Sequence, residues 1–146
     1  MITTIKDIGE IELLNRLKKF MRSGQIDDDI AEIKSSKKGL LINTDLLVEE
    51  IHFSEKISNA KDIGWKCIST NISDLICSGS ENIISFNVGL VLPPNTNWKW
   101  VENLYEGMSE AMKEFGGEIV GGDCTSGAKK NDFNYSNWRN ETAQTA

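Results

Sequence analysis

Several residue types are scarce in this 146-residue chain, and each shortage excludes a class of protein. Histidine occurs once and cysteine three times without a C-x-x-C pair, so neither a zinc site nor a disulfide framework is indicated. No apolar run approaches the roughly 20 residues of a membrane span, and the first nine residues lack the order of a signal peptide. We therefore expect free thiols and a cytoplasmic protein with no membrane partner.

Positive charge is also in short supply. Sixteen lysines and arginines face 22 aspartates and glutamates, which gives a formal net charge of −6. Nucleic-acid binding requires a basic face, so we expect no nucleic-acid partner. A phosphate-bearing ligand would need its charge neutralised by something other than clustered lysines, and a metal ion is the obvious candidate.

The order of predicted elements indicates the fold class. Apolar residues at helical spacing predict three helices, and β-rich or apolar stretches bounded by turn residues predict four strands. The helices are predicted at residues 9–21, 62–78 (with Asp62 as N-cap) and 98–115, and the strands at 26–33, 40–45, 82–92 and 118–120. This order predicts an α+β fold, a mixed α/β layer with helices packed on one face of a mixed sheet. Residues 1–127 would form the domain, and the polar residues 128–146 a disordered tail or a weak edge strand.

Four groups of aspartates fall at the ends or interruptions of these elements. Asp28 and Asp29 lie at a strand entry, Asp45 at a strand end, and Asp123 in a predicted Gly-Gly-Asp turn. Asp74 lies among Ile72, Leu75 and Ile76 in a segment that we expect to be buried, where a carboxylate needs a partner. Any one of these aspartates is more often solvated or a helix cap. Together they favour a Mg²⁺ site, because carboxylates from separate segments can share such ions with substrate phosphates.

Other motifs carry less information. The stretch from Gly121 to Gly127 is rich in glycine and follows a strand, but it lacks the Gly-Lys-Ser/Thr ending of a Walker A loop. A tight turn is the better interpretation of that stretch. His52 has no serine or cysteine partner at catalytic spacing, so no catalytic residue is assigned.

Four segments in this order resemble the N-terminal domain of thiamine-monophosphate kinases, within the aminoimidazole ribonucleotide synthetase-like superfamily. The segments are IDDDIA (26–31), NTDLLVEEIHF (43–53), NISDL (71–75) and GGDCT (121–125). The resemblance implies ATP-dependent phosphorylation of thiamine monophosphate to thiamine diphosphate by direct in-line transfer. It also implies Mg²⁺ ions, ATP as co-substrate, and a homodimer formed through the sheet of this domain.

The resemblance also assigns site residues. It implies Mg²⁺ ligands at Asp29, Asn43, Thr44, Asp45, Asp74 and Asp123, with Asn43 where the family usually has serine. It implies that His52 contacts the thiamine phosphate, and that Tyr105, Gly122 and Asp123 contact the nucleotide. Metals that neutralise charge and align donor with acceptor make a protein nucleophile unnecessary.

The family continues into a second α/β domain, which is absent from these 146 residues. We therefore expect a truncated or partial enzyme. One alternative is a non-catalytic nucleotide-binding or dimerisation fragment. Another is a related ATP-dependent superfamily enzyme that acts on an amidine, a selenide or a carbamoyl group.

Overall fold

The structure is a computed structural model that describes residues 3–20, 40–127 and 142–145. It contains three helices, α1 (Ile5–Leu17), α2 (Ala60–Cys77) and α3 (Trp98–Phe115), and a 3-10 turn at Lys18–Phe20. The strands are β1 (Leu40–Asn43), β2 (Phe86–Leu92), β3 (Ile119–Ser126) and β4 (Thr142–Thr145). The predicted strand at residues 26–33, and with it Asp29, lies outside the described residues.

The strands pair in two ladders. β2 and β3 run parallel, with Gly89 opposite Asp123, and α3 provides the crossover that parallel strands need. β1 and β4 are antiparallel, with Leu41 opposite Gln144. The α+β class with both strand directions is therefore confirmed.

Helix α3 matches its predicted bounds because the local signals agree with its periodicity. The Asn97 side chain accepts a hydrogen bond from the Lys99 N–H at 2.9 Å, which caps the N-terminus. Gly116 ends the helix with φ of 93°, in the left-handed region that favours glycine. Its buried face comprises Val101, Leu104, Tyr105, Gly107, Met108, Ala111 and Met112.

Several predicted boundaries were wrong; for example, the strand predicted at 82–92 begins at Phe86, and the one predicted at 40–45 ends at Asn43. Helix α2 begins at Ala60, and its N-cap is Asn59, whose Oδ1 accepts from the Asp62 N–H at 3.0 Å. Helix α1 begins before residue 9 and is interrupted at Gly9, which has φ of 73°. The predicted Gly-Gly-Asp turn is instead the middle of β3, because β2 offers that segment a continuous ladder of hydrogen-bond partners.

The core lies where α2 and α3 pack on each other and on the β2–β3 ladder. Leu13 and Leu17 of α1, each 1% exposed, extend it. The two long helices approach closely at glycines: a Cβ added at Gly64 would lie 1.9 Å from the Leu104 carbonyl oxygen. This contact sets the position of α2 relative to α3, and with it the position of the polar residues in the second half of α2. None of the described helices is both long and apolar enough to cross a membrane.

Candidate functional site

The structure brings together four polar residues at the junction of β1, the loop after it, and the second half of α2. These residues, Asn43, Asp45, Asn71 and Asp74, are called the polar cluster below. The Asn43 Nδ2 donates to the Asp74 carboxylate at 3.2 Å and to the Asn71 carbonyl at 3.5 Å. The Asp45 N–H donates to the Asn71 Oδ1 at 3.2 Å. The strand end and the helix are thus joined through side-chain amides.

The charge of Asp74 acts on the carboxyl group of Asp45. Burial raises the pKa of the Asp45 carboxyl above its usual value, the Asp74 charge raises this pKa further, and His52 opposes both effects. Two carboxylates in such a position repel each other, and a cation between or beside them would relieve that repulsion. The polar cluster therefore has an electrostatic reason to bind a cation.

The expectation that Asp74 is buried was wrong. Asp74 lies on the exposed side of α2, and Ile76 beside it is 56% exposed. The buried positions of α2 follow the helical period through Ile68, Asn71, Ile72 and Leu75, and position 74 falls outside that stripe. The Asp74 carboxylate is held by Asn43 and not by an apolar environment.

The cluster contains oxygen donors of the kind that Mg²⁺ prefers, but it is small. Within residues 3–20, 40–127 and 142–145, no group of three or more His, Cys, Asp or Glu side chains could hold a metal ion. Asp123, exposed on β3, does not join Asp45 and Asp74 in such a group. Protein Mg²⁺ sites often use one or two carboxylates completed by water and substrate phosphates. The donor set of the polar cluster fits a site of that type.

His52 is held beside the cluster by a tight loop. The Val48 N–H donates to the His52 Nδ1 at 3.1 Å, so a neutral His52 carries its proton on Nε2. Glu50 adopts φ of 61°, unusual for a residue other than glycine, and its N–H donates to the Phe53 carbonyl at 2.7 Å. Lys66 of α2 donates to the His52 carbonyl. The loop therefore presents an exposed imidazole with one defined donor nitrogen.

The predicted nucleotide contacts lie on other elements, β3 and α3. Gly122 and Asp123 are exposed on β3, and a Cβ at Gly122 would lie 2.0 Å from the Val88 carbonyl oxygen, so strand pairing alone requires glycine there. Tyr105 is only 2% exposed within the core and packs against Phe20 at a ring distance of 5.3 Å. Burial raises the pKa of its hydroxyl. Thr44 is half-buried between Asn43 and Asp45.

A cavity of about 160 Å³ lies next to the polar cluster. Its lining is mostly apolar and includes Leu46, Phe53, Cys67, Asn71 and Trp100 together with β2. Such a lining offers phosphate groups few hydrogen-bond partners.

Asn71 lies in the NISDL motif, but the sequence alone assigns it no role. It is 5% exposed, one of two buried polar residues among those that the structure describes. Helical periodicity indicates that Asn71 is buried, because position 71 lies on the same apolar stripe as Ile68 and Leu75. A buried amide needs hydrogen-bond partners.

Comparison with known proteins places this chain in a family. The model of the "AIR synthase related protein, N-terminal domain" matches residues 27–136. The chain therefore belongs to the family of AIR synthase related N-terminal domains, and the resemblance seen in the sequence is confirmed.

Particular relatives are thiamine-monophosphate kinases. That of Prochlorococcus marinus is 55% identical over 126 residues, which cover 86% of this chain and 38% of that protein. That of Aquifex aeolicus is 35% identical over 128 residues, covering 86% and 40%. The chain thus spans about two fifths of the length of these relatives.

Solved structures agree on the fold. Aquifex aeolicus ThiL complexed with AMPPCP and TMP is 30% identical with a TM-score of 0.59, over 97% of this chain and 42% of that one. The hydrogenase maturation protein HypE of Escherichia coli has a TM-score of 0.69 at 16% identity, over 94% and 44%. The HypE likeness concerns the fold alone.

Proposed function

We propose that this chain is the nucleotide- and Mg²⁺-binding N-terminal domain of a thiamine-monophosphate kinase, which phosphorylates thiamine monophosphate with ATP to give thiamine diphosphate. The observation that carries the proposal is the polar cluster, which brings two aspartates together. The Asn43 side chain donates to the Asp74 carboxylate, and the Asp45 main-chain N–H donates to the Asn71 side chain. The kinase relatives, and the bound AMPPCP and TMP in one of them, support the choice of substrates.

Asp45 and Asp74 would hold Mg²⁺, with Asn43, Thr44 and Asp29 as further candidate ligands. When bound, the metal neutralises phosphate charge and orients the nucleotide. The protein's own part is positional: Asn43 fixes one carboxylate, and the loop of residues 48–53 holds His52 so that its Nε2–H can donate to a phosphate oxygen of the substrate. No side chain needs to act as a nucleophile.

Asp123 and Gly122 would meet the nucleotide from the exposed part of β3. Tyr105 is left out of this proposal, because its buried side chain has a packing role in the core. The further proposals are a cytoplasmic location and a homodimer that forms through the strands of this domain. Light scattering on the purified chain would measure the dimer directly.

The test uses the purified chain with ATP, Mg²⁺ and thiamine monophosphate, and measures both thiamine diphosphate and the Mg·ATP-dependent rise in melting temperature. We expect Asp45→Asn and Asp74→Asn each to weaken Mg²⁺-dependent nucleotide binding at least about tenfold while circular dichroism stays unchanged. Asp62→Asn makes the same change near the start of α2, away from the polar cluster, and should bind as the wild type does.

The outcomes separate the candidates. Nucleotide-dependent stabilisation without turnover would favour a nucleotide-binding domain that is not catalytic by itself. Turnover with an amidine, selenide or carbamoyl substrate, but not with thiamine monophosphate, would favour another activity of the superfamily. Unchanged nucleotide affinity in both cluster variants would end the metal assignment.

A further inference from the structure

The Asn71 side chain connects two parts of the fold. Its Oδ1 accepts from the Asp45 N–H at 3.2 Å, and its Nδ2 donates to the Cys67 carbonyl of α2 at 2.9 Å. The amide therefore has a donor on one side and an acceptor on the other, and only one orientation satisfies both. With 5% exposure, it can rely little on water as an alternative partner.

This connection holds Asp45, one of the two carboxylates on which the proposed Mg²⁺ site depends. Residues 44–48, in the loop after β1, belong to no helix or strand, and the Asn71 side chain joins the Asp45 main chain to α2. Asn43 does the same for the other carboxylate: its neighbours, the Asp74 carboxylate and the Asn71 carbonyl, are both acceptors, so its Nδ2 faces them. Each carboxylate is thus positioned by an asparagine.

We propose that Asn71 is a positioning residue, which holds the Asp45 main chain on α2 so that Asp45 and Asp74 are in place before a divalent cation binds. This inference rests on the proposed function and deepens it. Asn71 is not itself a ligand, because both ends of its amide are engaged within the protein. Residues that orient ligands in this way typically contribute about 10- to 100-fold to metal affinity.

The test titrates Mg²⁺ at a fixed concentration of AMPPCP and follows the melting temperature of the whole chain. Asn71→Leu keeps the side-chain volume and removes both hydrogen bonds, and Asn71→Ser serves if the leucine variant does not fold. Ile72→Ala is the matched control: Ile72 is the next residue of α2, 3% exposed in the core, and its truncation lowers stability without touching Asp45. Hydrogen exchange of the Asp45 amide, measured without Mg²⁺ or nucleotide, gives a second readout.

We expect the Asn71 variant to raise the Mg²⁺ concentration at half-saturation about tenfold and to speed exchange of the Asp45 amide. Ile72→Ala should lower the melting temperature and leave both quantities at their wild-type values. Unchanged half-saturation in the Asn71 variant, or an equal rise in Ile72→Ala, would overturn the inference while the proposed function stands. A wild-type chain with no Mg²⁺-dependent stabilisation would overturn the proposed function, and the inference with it.

Discussion

Helix α2 takes part in two regions that are stabilised in different ways. On one side it packs against α3 through buried apolar side chains and two glycines that let the backbones touch. On the other side its Asn71 and Asp74 belong to the polar cluster, which a few hydrogen bonds of 3.2 to 3.5 Å hold together. Individual hydrogen bonds of this kind contribute about 1 kcal/mol each, whereas the packed helix surfaces contribute through many contacts at once.

The comparison suggests a division of roles. Helices α2 and α3, called the helix pair below, supply stability. The polar cluster holds two carboxylates that repel each other, and this repulsion lowers the free energy of unfolding by an amount that the packing of the helix pair offsets. Functional sites commonly oppose stability in this manner. Substitutions that change one region at a time reveal whether the other region responds.

The largest effect is expected at the helix pair. A Cβ added by Gly107→Ala would lie 1.9 Å from the Lys61 carbonyl oxygen, so the helices must separate. We expect a loss of about 3 kcal/mol in the free energy of unfolding. Helix propensity alone predicts a gain of about 1 kcal/mol in the free energy of unfolding for the same change. The sign of the measured change therefore shows whether the clash between the helices or the helix propensity dominates. Urea denaturation measures it, and Ser109→Ala on the half-exposed side of α3 is the control, with a change within about 0.5 kcal/mol.

The second prediction concerns Cys67, which lies between the two regions. Cys67 is half-buried against the core. Desolvation by this burial raises the pKa of its thiol to about 11, and the Asp45 charge adds to the rise. At pH 8 only roughly one Cys67 in a thousand is a thiolate, the reactive form. We therefore expect iodoacetamide to modify Cys67 at least about tenfold more slowly than the exposed Cys77, as followed by mass spectrometry of peptides.

The Cys67 experiment also tests whether the regions communicate. Asp45→Asn removes the smaller cause of the raised pKa, so the Cys67 thiol should react somewhat faster in that variant. Labelling of Cys67 as fast as that of Cys77 in the wild-type chain would contradict the raised pKa of the Cys67 thiol.

The helix pair could be predicted from the sequence to a large extent. The bounds of α3 follow from an apolar stripe, an asparagine cap and a terminal glycine, all of which are local signals. The prediction of a turn at Gly121, Gly122 and Asp123 was wrong because no local signal marks this segment as a strand. Their composition is typical of a turn, and only the neighbouring β2, distant in sequence, makes them a strand.

The polar cluster was predicted only in part. The sequence singled out Asp45 and Asp74, and the structure brings them together, but the expected burial of Asp74 was wrong. The role of Asn71 was missed, since its two partners depend on how the loop after β1 meets α2. Asp29 lies outside the described residues, so its place in the site stays a prediction. Helical periodicity identifies which residues face the core, and it does not reveal which polar groups meet across elements.

The smallest expected effect is on the stability of the domain without ligands, through Asp45→Asn. The folded-state pKa of Asp45 is raised by burial and by the Asp74 charge. Between the unfolded and folded pKa values the native state therefore binds more protons than the unfolded state. By linkage, the free energy of unfolding falls as the pH rises from about 3.8, the ordinary value, through the folded pKa, and it stays reduced at neutral pH.

An uncharged asparagine removes this penalty, so Asp45→Asn should raise the free energy of unfolding at pH 7 by less than about 1 kcal/mol and leave it unchanged below pH 3.8. Thermal melts from pH 3 to pH 8 without Mg²⁺ measure the stability difference between Asp45→Asn and the wild type. The control is Asp62→Asn, which makes the same change on the same helix as Asp74. A stability gain at neutral pH, together with lost Mg²⁺-dependent nucleotide binding, is the result expected of a carboxylate kept for its ligand. A loss of stability at pH 7 would instead mean that Asp45 supports the fold, and that the polar cluster and the helix pair are not separate in the way the structure indicates.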